Sequence, residues 1–178
     1  MTLEYSLTND DFLEHQLYEA SKSKRIKSKR FKIRIINPVL FIILGIFSYL
    51  SDNKLFFPLI MLVFAVLWFF LYPIRAKKNH IKHYKNHIKD NYKNRIDKLV
   101  KLEFNENYIH MHDDTSESKI KTSEIKSLIE LKNHFLLKLN TDMSLIIPKR
   151  VIENVNVFKE KISELKTPII DELNWTFK

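Results

Sequence analysis

The stretch Leu55–Ile74, LFFPLIMLVFAVLWFFLYPI, runs for 20 residues without a charge and decides how the rest of the chain is read. A helix rises about 1.5 Å per residue, so about 20 apolar residues match a hydrocarbon core of about 30 Å. A second uncharged run, IINPVLFIILGIFSYL from Ile35 to Leu50, precedes it. It is shorter, but Phe31 and Ile33 extend it while Lys32 and Arg34 reach back towards headgroups. Neither run keeps a polar stripe at helical spacing, which argues against a buried helical hairpin in a soluble α protein. A cleaved signal peptide does not fit either, because a long charged segment comes first and no small-residue cleavage site follows. Only SDNK, Ser51 to Lys54, separates the runs. Residues 35–74 therefore read as a transmembrane hairpin, with helices at about 33–50 and 55–74.

Charge distribution orients the hairpin. From Ser21 to Lys101 there are 19 Lys/Arg against three acids, a local +16 in a chain whose net charge is +9. The first 20 residues carry −5, and those from Leu102 onward carry −2. Basic residues crowd the outer ends of both runs, whereas the loop between them offers one lysine. The positive-inside rule then predicts both termini in the cytoplasm of a multi-pass protein of the cell (inner) membrane. Lys24, Arg25, Lys27, Arg30, Lys32 and Arg34 before the first run, and Arg75, Lys77, Lys78, Lys82 and Lys85 after the second, are the expected contacts with anionic inner-leaflet headgroups. Each is worth about 1 kcal/mol near such a surface. Nucleic acid is the runner-up for this charge, since Lys and Arg interleaved with Tyr suit phosphates and bases. It is disfavoured because the charge abuts both apolar runs and the distal part is slightly acidic.

Residues 75–98 read as a basic juxtamembrane helix carrying NHIKHYKNHIKDNY. At 3.6 residues per turn His80, His83 and His87 fall within an arc of about 60°. They form a candidate metal or pH-sensing patch. The hydrolytic H-E-x-x-H pattern is absent, and the flanking lysines would repel a divalent cation. An Ile81, Tyr84, Ile88 and Tyr92 stripe beside them suits packing on the basic N-terminal helix or on a second subunit.

The chain has no cysteine and one glycine, Gly45. Disulfides, thiolate sites, P-loops and G-x-G-x-x-G fingerprints are thereby excluded. Candidate catalytic groups are scattered: Ser116 and Ser118 near Asp113, Asp114 and Glu117, with His110, His112 and His134 on expected strands. HMH places His110 and His112 on one face of a strand, a ligand pair or a solvated edge. No acid, base and nucleophile set assembles, so a non-enzyme without cofactor is expected. No ionisable residue lies inside either apolar run, which makes the hairpin an anchor rather than a transport path.

The cytoplasmic parts read as α+β. Residues 1–34 open with a strand, Leu3, Tyr5 and Leu7 alternating, followed by a basic amphipathic helix. Thr8 and Asp11 have capping-box spacing at its start. Residues 99–178 contain LEF, YIHMH, ESKIKTSEIKSLIEL, HFLLKL and SLIIP separated by polar turns, the pattern of an antiparallel meander. Val151, Val155, Phe158 and Ile162 then mark an amphipathic closing helix. A single small sheet capped by one helix is expected.

The opening LEYSLTNDDFLEHQLYEASKSKR, the basic-flanked hairpin, and the distal LEF, SESKIKTSEIKSLIE, FLLKL and LIIPKRV together resemble the YcxB-like family of bacterial membrane proteins. Thr122 stands where that family often has Trp or Tyr. The resemblance implies a two-helix transmembrane hairpin and a C-terminal pleckstrin-homology-like (PH-like) domain. The N-terminal strand is expected to join the C-terminal sheet, since the hairpin returns the chain to its start. The expected function is binding of an unknown protein partner, a second copy in a homo-oligomer, or lipid headgroups. Alternatives are an immunity or stress-response factor acting through the hairpin, and a small oligomeric transporter.

Overall fold

The computed structural model describes residues 1–113, 116–165 and 167–177. Asp114, named above among the scattered catalytic candidates, lies outside the described residues. The chain divides into two compact units, one of Met1–Gln16 with Lys85–Thr176 and one of Leu17–Tyr84 with Phe177.

Helix α1 (Asn9–Lys22) begins in the first of these units and runs into the second. Ser23 ends it and caps the next helix, its hydroxyl accepting from the Ile26 amide. Helix α2 spans Lys24–Asp52 and helix α3 spans Phe56–Asn91. Between them Asn53 takes φ 54°, a left-handed conformation that Asn tolerates, and donates its amide to the Tyr49 carbonyl. Both helices are long and apolar enough to cross a membrane, and only 6% of each most apolar stretch is buried. A core helix of a soluble domain is mostly buried, and these two are not.

The helices extend further than the apolar runs. Pro38 and Pro73 are interior, because α2 takes in the preceding basic residues and α3 continues through the histidine stretch. Each proline removes one i to i−4 hydrogen bond. Pro58, in the first turn of α3, costs no such bond. At Gly45 a Cβ would sit 3.3 Å from Met61 Cβ and 3.4 Å from Pro58 Cα, so α2 and α3 approach closely there. The juxtamembrane helix expected through residue 98 stops at Asn91. Asp97 adopts φ 58°, outside the right-handed basin, and its amide bonds the Leu7 carbonyl.

The first unit holds two four-stranded sheets. One has the order β1 (Thr2–Ser6), β2 (Leu99–Phe104), β3 (Tyr108–Asp113), β4 (Glu117–Lys121). The other has the order β7 (Ser144–Pro148), β6 (His134–Leu139), β5 (Ile125–Glu130), β8 (Ile169–Asp171). The N-terminal strand does join the distal sheet: β1 pairs antiparallel with β2, with Leu3 opposite Leu102 and Tyr5 opposite Val100. The single sheet expected from the sequence is corrected to two. SESKIKTSEIKSLIE is broken by a 3-10 turn at Thr122–Glu124, which sends β4 and β5 to different sheets. Thr122 holds that corner, its amide bonding the Asn107 carbonyl and its hydroxyl the Glu106 carbonyl. Strand β8 runs parallel to β5, a pairing that three residues of sequence did not announce.

Helix α4 (Val155–Glu164) is capped by Asn154, whose side chain accepts from the amides of Asn156 and Val157. Val151, expected on this helix, sits in a preceding 3-10 turn, Lys149–Val151. Phe158 and Ile162 point inward and join Leu102, Ile109, Leu128, Phe135, Leu137 and Ile147, all essentially inaccessible to solvent. The Phe158 ring lies 5.0 Å from that of Phe135 and 6.0 Å from that of Phe104, so α4 closes a core shared by both sheets.

Candidate functional site

Pleating sorts the residues of β2, β3 and β4 onto two faces. Leu102, Phe104 and Ile109 face the core, which leaves Lys101, Glu103, His110, His112, Glu117 and Lys119 on the outer face. These pair locally: Lys101 Nζ is 2.8 Å from Glu103 Oε1, His110 Nε2 bonds Glu117 Oε1, and Lys119 Nζ lies 3.7 Å from the centre of the Tyr108 ring. His110, His112, Asp113, Ser116 and Glu117 line a shallow open depression. Ser116 donates both its amide and its hydroxyl to Asp113, so the candidate nucleophile is tied to a turn carboxylate.

Of the candidate headgroup contacts, Lys24, Arg25, Lys27, Lys32, Arg75, Lys77, Lys78, Lys82 and Lys85 are exposed. Arg30 and Arg34 are half-buried and sit over aromatic rings, Arg30 over Phe177 at 5.5 Å and Arg34 over Phe69 at 4.2 Å. Such cation–π contacts hold a guanidinium without a counter-ion.

The histidine stretch lies on α3 and the three rings have different surroundings. His80 Nδ1 donates to the Ala76 carbonyl at 2.8 Å, and its ring stands 6.3 Å from that of Phe177. His83 packs edge-on beside Tyr84. Asn91 Nδ2 donates to His87 Nδ1 at 3.0 Å, with Tyr92 alongside. Among the described residues no group of three or more His, Cys, Asp or Glu is placed to hold a metal ion.

The most organised polar cluster was not assembled from the sequence. Thr8 and Asp11 form the expected capping box, the Thr8 amide donating to Asp11 Oδ2 at 2.7 Å. Asp11 is only 3% exposed, however, and does more. Arg150 grips it with both terminal nitrogens, each at 2.7 Å, and His134 Nε2 lies 2.6 Å from Oδ1. His134 Nδ1 lies 3.1 Å from Glu14 Oε2, an ion pair rather than an aligned hydrogen bond, and Asn133 donates to the same oxygen. Arg150 also donates to the Ser6 carbonyl, so one arginine ties β1, α1 and the 3-10 turn after β7.

Burial alone would raise the Asp11 carboxyl, but hydrogen bonds from Arg150, the Thr8 amide and hydroxyl, and His134 hold it well below the usual carboxylate range. Burial alone would lower His134, but Glu14 and Asp11 outweigh it and raise the imidazole above its ordinary value. The two carboxylates therefore favour the protonated form of His134. A comparable buried acid, Glu130, takes Lys149 at 2.8 Å and Lys159 at 2.6 Å. Desolvation opposes its ionisation, yet the two lysines keep its pKa below normal.

Signals for the acid–imidazole cluster were faint. His134 heads the apolar strand HFLLKL, and Arg150 interrupts LIIPKRV, each a polar residue where the pattern asks for apolar ones. Nothing local says that they meet Asp11.

These features define an α+β chain that combines two exposed apolar helices with a double-sheet domain closed by a helix. Residues 104–162 match the family model described as YcxB-like protein, so this part of the chain is similar to that family. The match runs from the end of β2 through Ile162 of α4 and does not extend over the opening segment or the hairpin, to which the resemblance had reached. No curated protein and no solved structure matches the chain.

Proposed function

We propose that this is a non-enzymatic integral membrane protein, with α2 and α3 as a two-helix anchor and the double-sheet unit as a PH-like binding domain on the cytoplasmic side. The observation that carries this reading is the pairing of Leu3 with Leu102 in one sheet. The chain leaves this unit within α1 and re-enters it within α3, with both apolar runs in between. Two strands of one sheet share one side of a bilayer, so the intervening helices cross it an even number of times. The +16 charge around them selects the cytoplasmic side. The nine exposed lysines and arginines then rest against anionic inner-leaflet headgroups.

A binding role suits the domain better than catalysis, because its buried acids are consumed by structural partners and Ser116 is tied to Asp113. Its ligand is a protein partner or a lipid headgroup. Reporter fusions in the Ser51–Lys54 loop and after Thr176 test the topology: a periplasmic signal from the loop and a cytoplasmic one from the end are expected. A cytoplasmic signal from the loop refutes the anchor. Crosslinking in the native membrane, followed by identification of what is captured, then separates a protein partner from lipid alone.

A further inference from the structure

His134 is 4% exposed and sits between two carboxylates of α1, Asp11 at 2.6 Å and Glu14 at 3.1 Å, while Arg150 holds Asp11 from the opposite side. All four belong to one compact unit. With His134 charged, two cations face two anions. Without that proton, three charges remain, and among the described residues Glu14 keeps only the neutral Asn133 amide at 3.3 Å. Asp11 is differently placed, because Arg150 and the Thr8 cap still hold it. Loss of one proton therefore removes the second of the two attachments by which α1 is held on β6.

Other charged groups near this site do not replace the proton. Lys149, in the same 3-10 turn as Arg150, is committed to Glu130, and Glu130 also takes Lys159 from α4. On β7 the residue opposite His134 is Pro148, which carries no charge. Lys132, two residues before His134, is exposed.

We propose that the Asp11–His134–Glu14 cluster is a pH-operated latch that fastens the first half of α1 to β6 when His134 is protonated and loosens it when the proton leaves. The latched segment, Asn9–Gln16, is followed within α1 by Leu17–Lys22 and then, after Ser23, by the first apolar helix. Burial places the proton out of direct reach of solvent, so opening and deprotonation occur together rather than in sequence. A pH above the raised pKa of His134 thus frees the first half of α1, whereas a pH below it holds that segment.

The test is amide hydrogen exchange on the full chain in nanodiscs from pH 6 to pH 9, corrected for intrinsic exchange, with the His134 ring followed by NMR in parallel. Protection of residues 11–16 is expected to fall at least tenfold across the pH at which the ring loses its proton, while the core strands β5 and β6 keep theirs. In Glu14→Gln the midpoint moves to lower pH, because one of the two anions that hold the proton is gone. In His134→Gln the pH dependence of this segment disappears. If His134→Gln does not fold, Glu14→Gln decides alone. A flat protection profile in the unmodified chain, or a midpoint unmoved by Glu14→Gln, overturns the latch.

Discussion

Arg150 grips Asp11 with both guanidinium nitrogens at 2.7 Å across 139 residues of sequence. The fork geometry fixes both groups more firmly than a single ammonium would. Asp11 is almost fully buried, so removing Arg150 leaves its charge to His134 and the Thr8 cap alone. Arg150→Ala is therefore expected to destabilise the domain by about 1–3 kcal/mol. Arg150→Lys recovers only part, since lysine cannot make the fork. Urea unfolding followed by tryptophan fluorescence measures both, and equal stability of the two variants would remove the bidentate argument.

Stability of the domain should fall on both sides of a window in pH. The depressed carboxyls of Asp11, Glu14 and Glu130 contribute stability that is present above their ordinary values of 3.8 and 4.5 and is lost as pH falls through their folded values. His134 works in the opposite sense. Its raised pKa gives stability that is complete below its ordinary value of 6.5 and is lost as pH rises through the folded value. Denaturation midpoints between pH 3 and 9 should therefore peak between about pH 5 and 6.5. A midpoint still rising at pH 8 contradicts the protonated imidazole.

Strand β1 completes the first sheet from the other end of the chain. Tyr5 is 5% exposed and Leu3 9%, and both join the core cluster. Tyr5→Ala should cost about 3–5 kcal/mol, and deletion of residues 1–8 more. In both cases protease should cut within residues 99–113 much faster than in the unmodified chain. Unchanged resistance would show that the distal strands stand without β1.

Gly45 sets the closeness of α2 and α3. Alanine there needs a shift of a few tenths of an ångström against Met61 and Pro58, whereas leucine forces the helices apart. Small residues permit close helix contact in lipid. Gly45→Leu is expected to lower the thermal midpoint of the detergent-solubilised chain by several degrees, with Gly45→Ala close to neutral. A Cys pair at positions 45 and 61, crosslinked with a short reagent, reports the same distance directly.

The sequence announced the elements whose cause is local. Two uncharged runs, the Thr8 and Asp11 cap, the alternation of Leu3 and Tyr5 and the spacing of Phe158 and Ile162 each carry their own period or capping chemistry. What it did not announce depends on distant parts of the chain meeting. The 3-10 corner at Thr122–Glu124 is stabilised by carbonyls of the 105–107 turn, and β8 exists only because Ile169–Asp171 finds β5. Helix ends slipped for a related reason: basic residues at Lys24–Arg34 and Arg75–Asn91 have good helix propensity, so the helices ran on where hydropathy ended. The Asp11, Glu14, His134 and Arg150 cluster draws on α1, β6 and the turn after β7, and no window of sequence contains it.

The pairing of β1 with β2 also fixes an order of events during synthesis. The first strand emerges from the ribosome long before its partner, and both long apolar helices must be made before Leu99–Phe104 appears. Until then Leu3 and Tyr5 have no sheet to enter. Completion of the sheet therefore waits on synthesis of everything that lies between its first two strands.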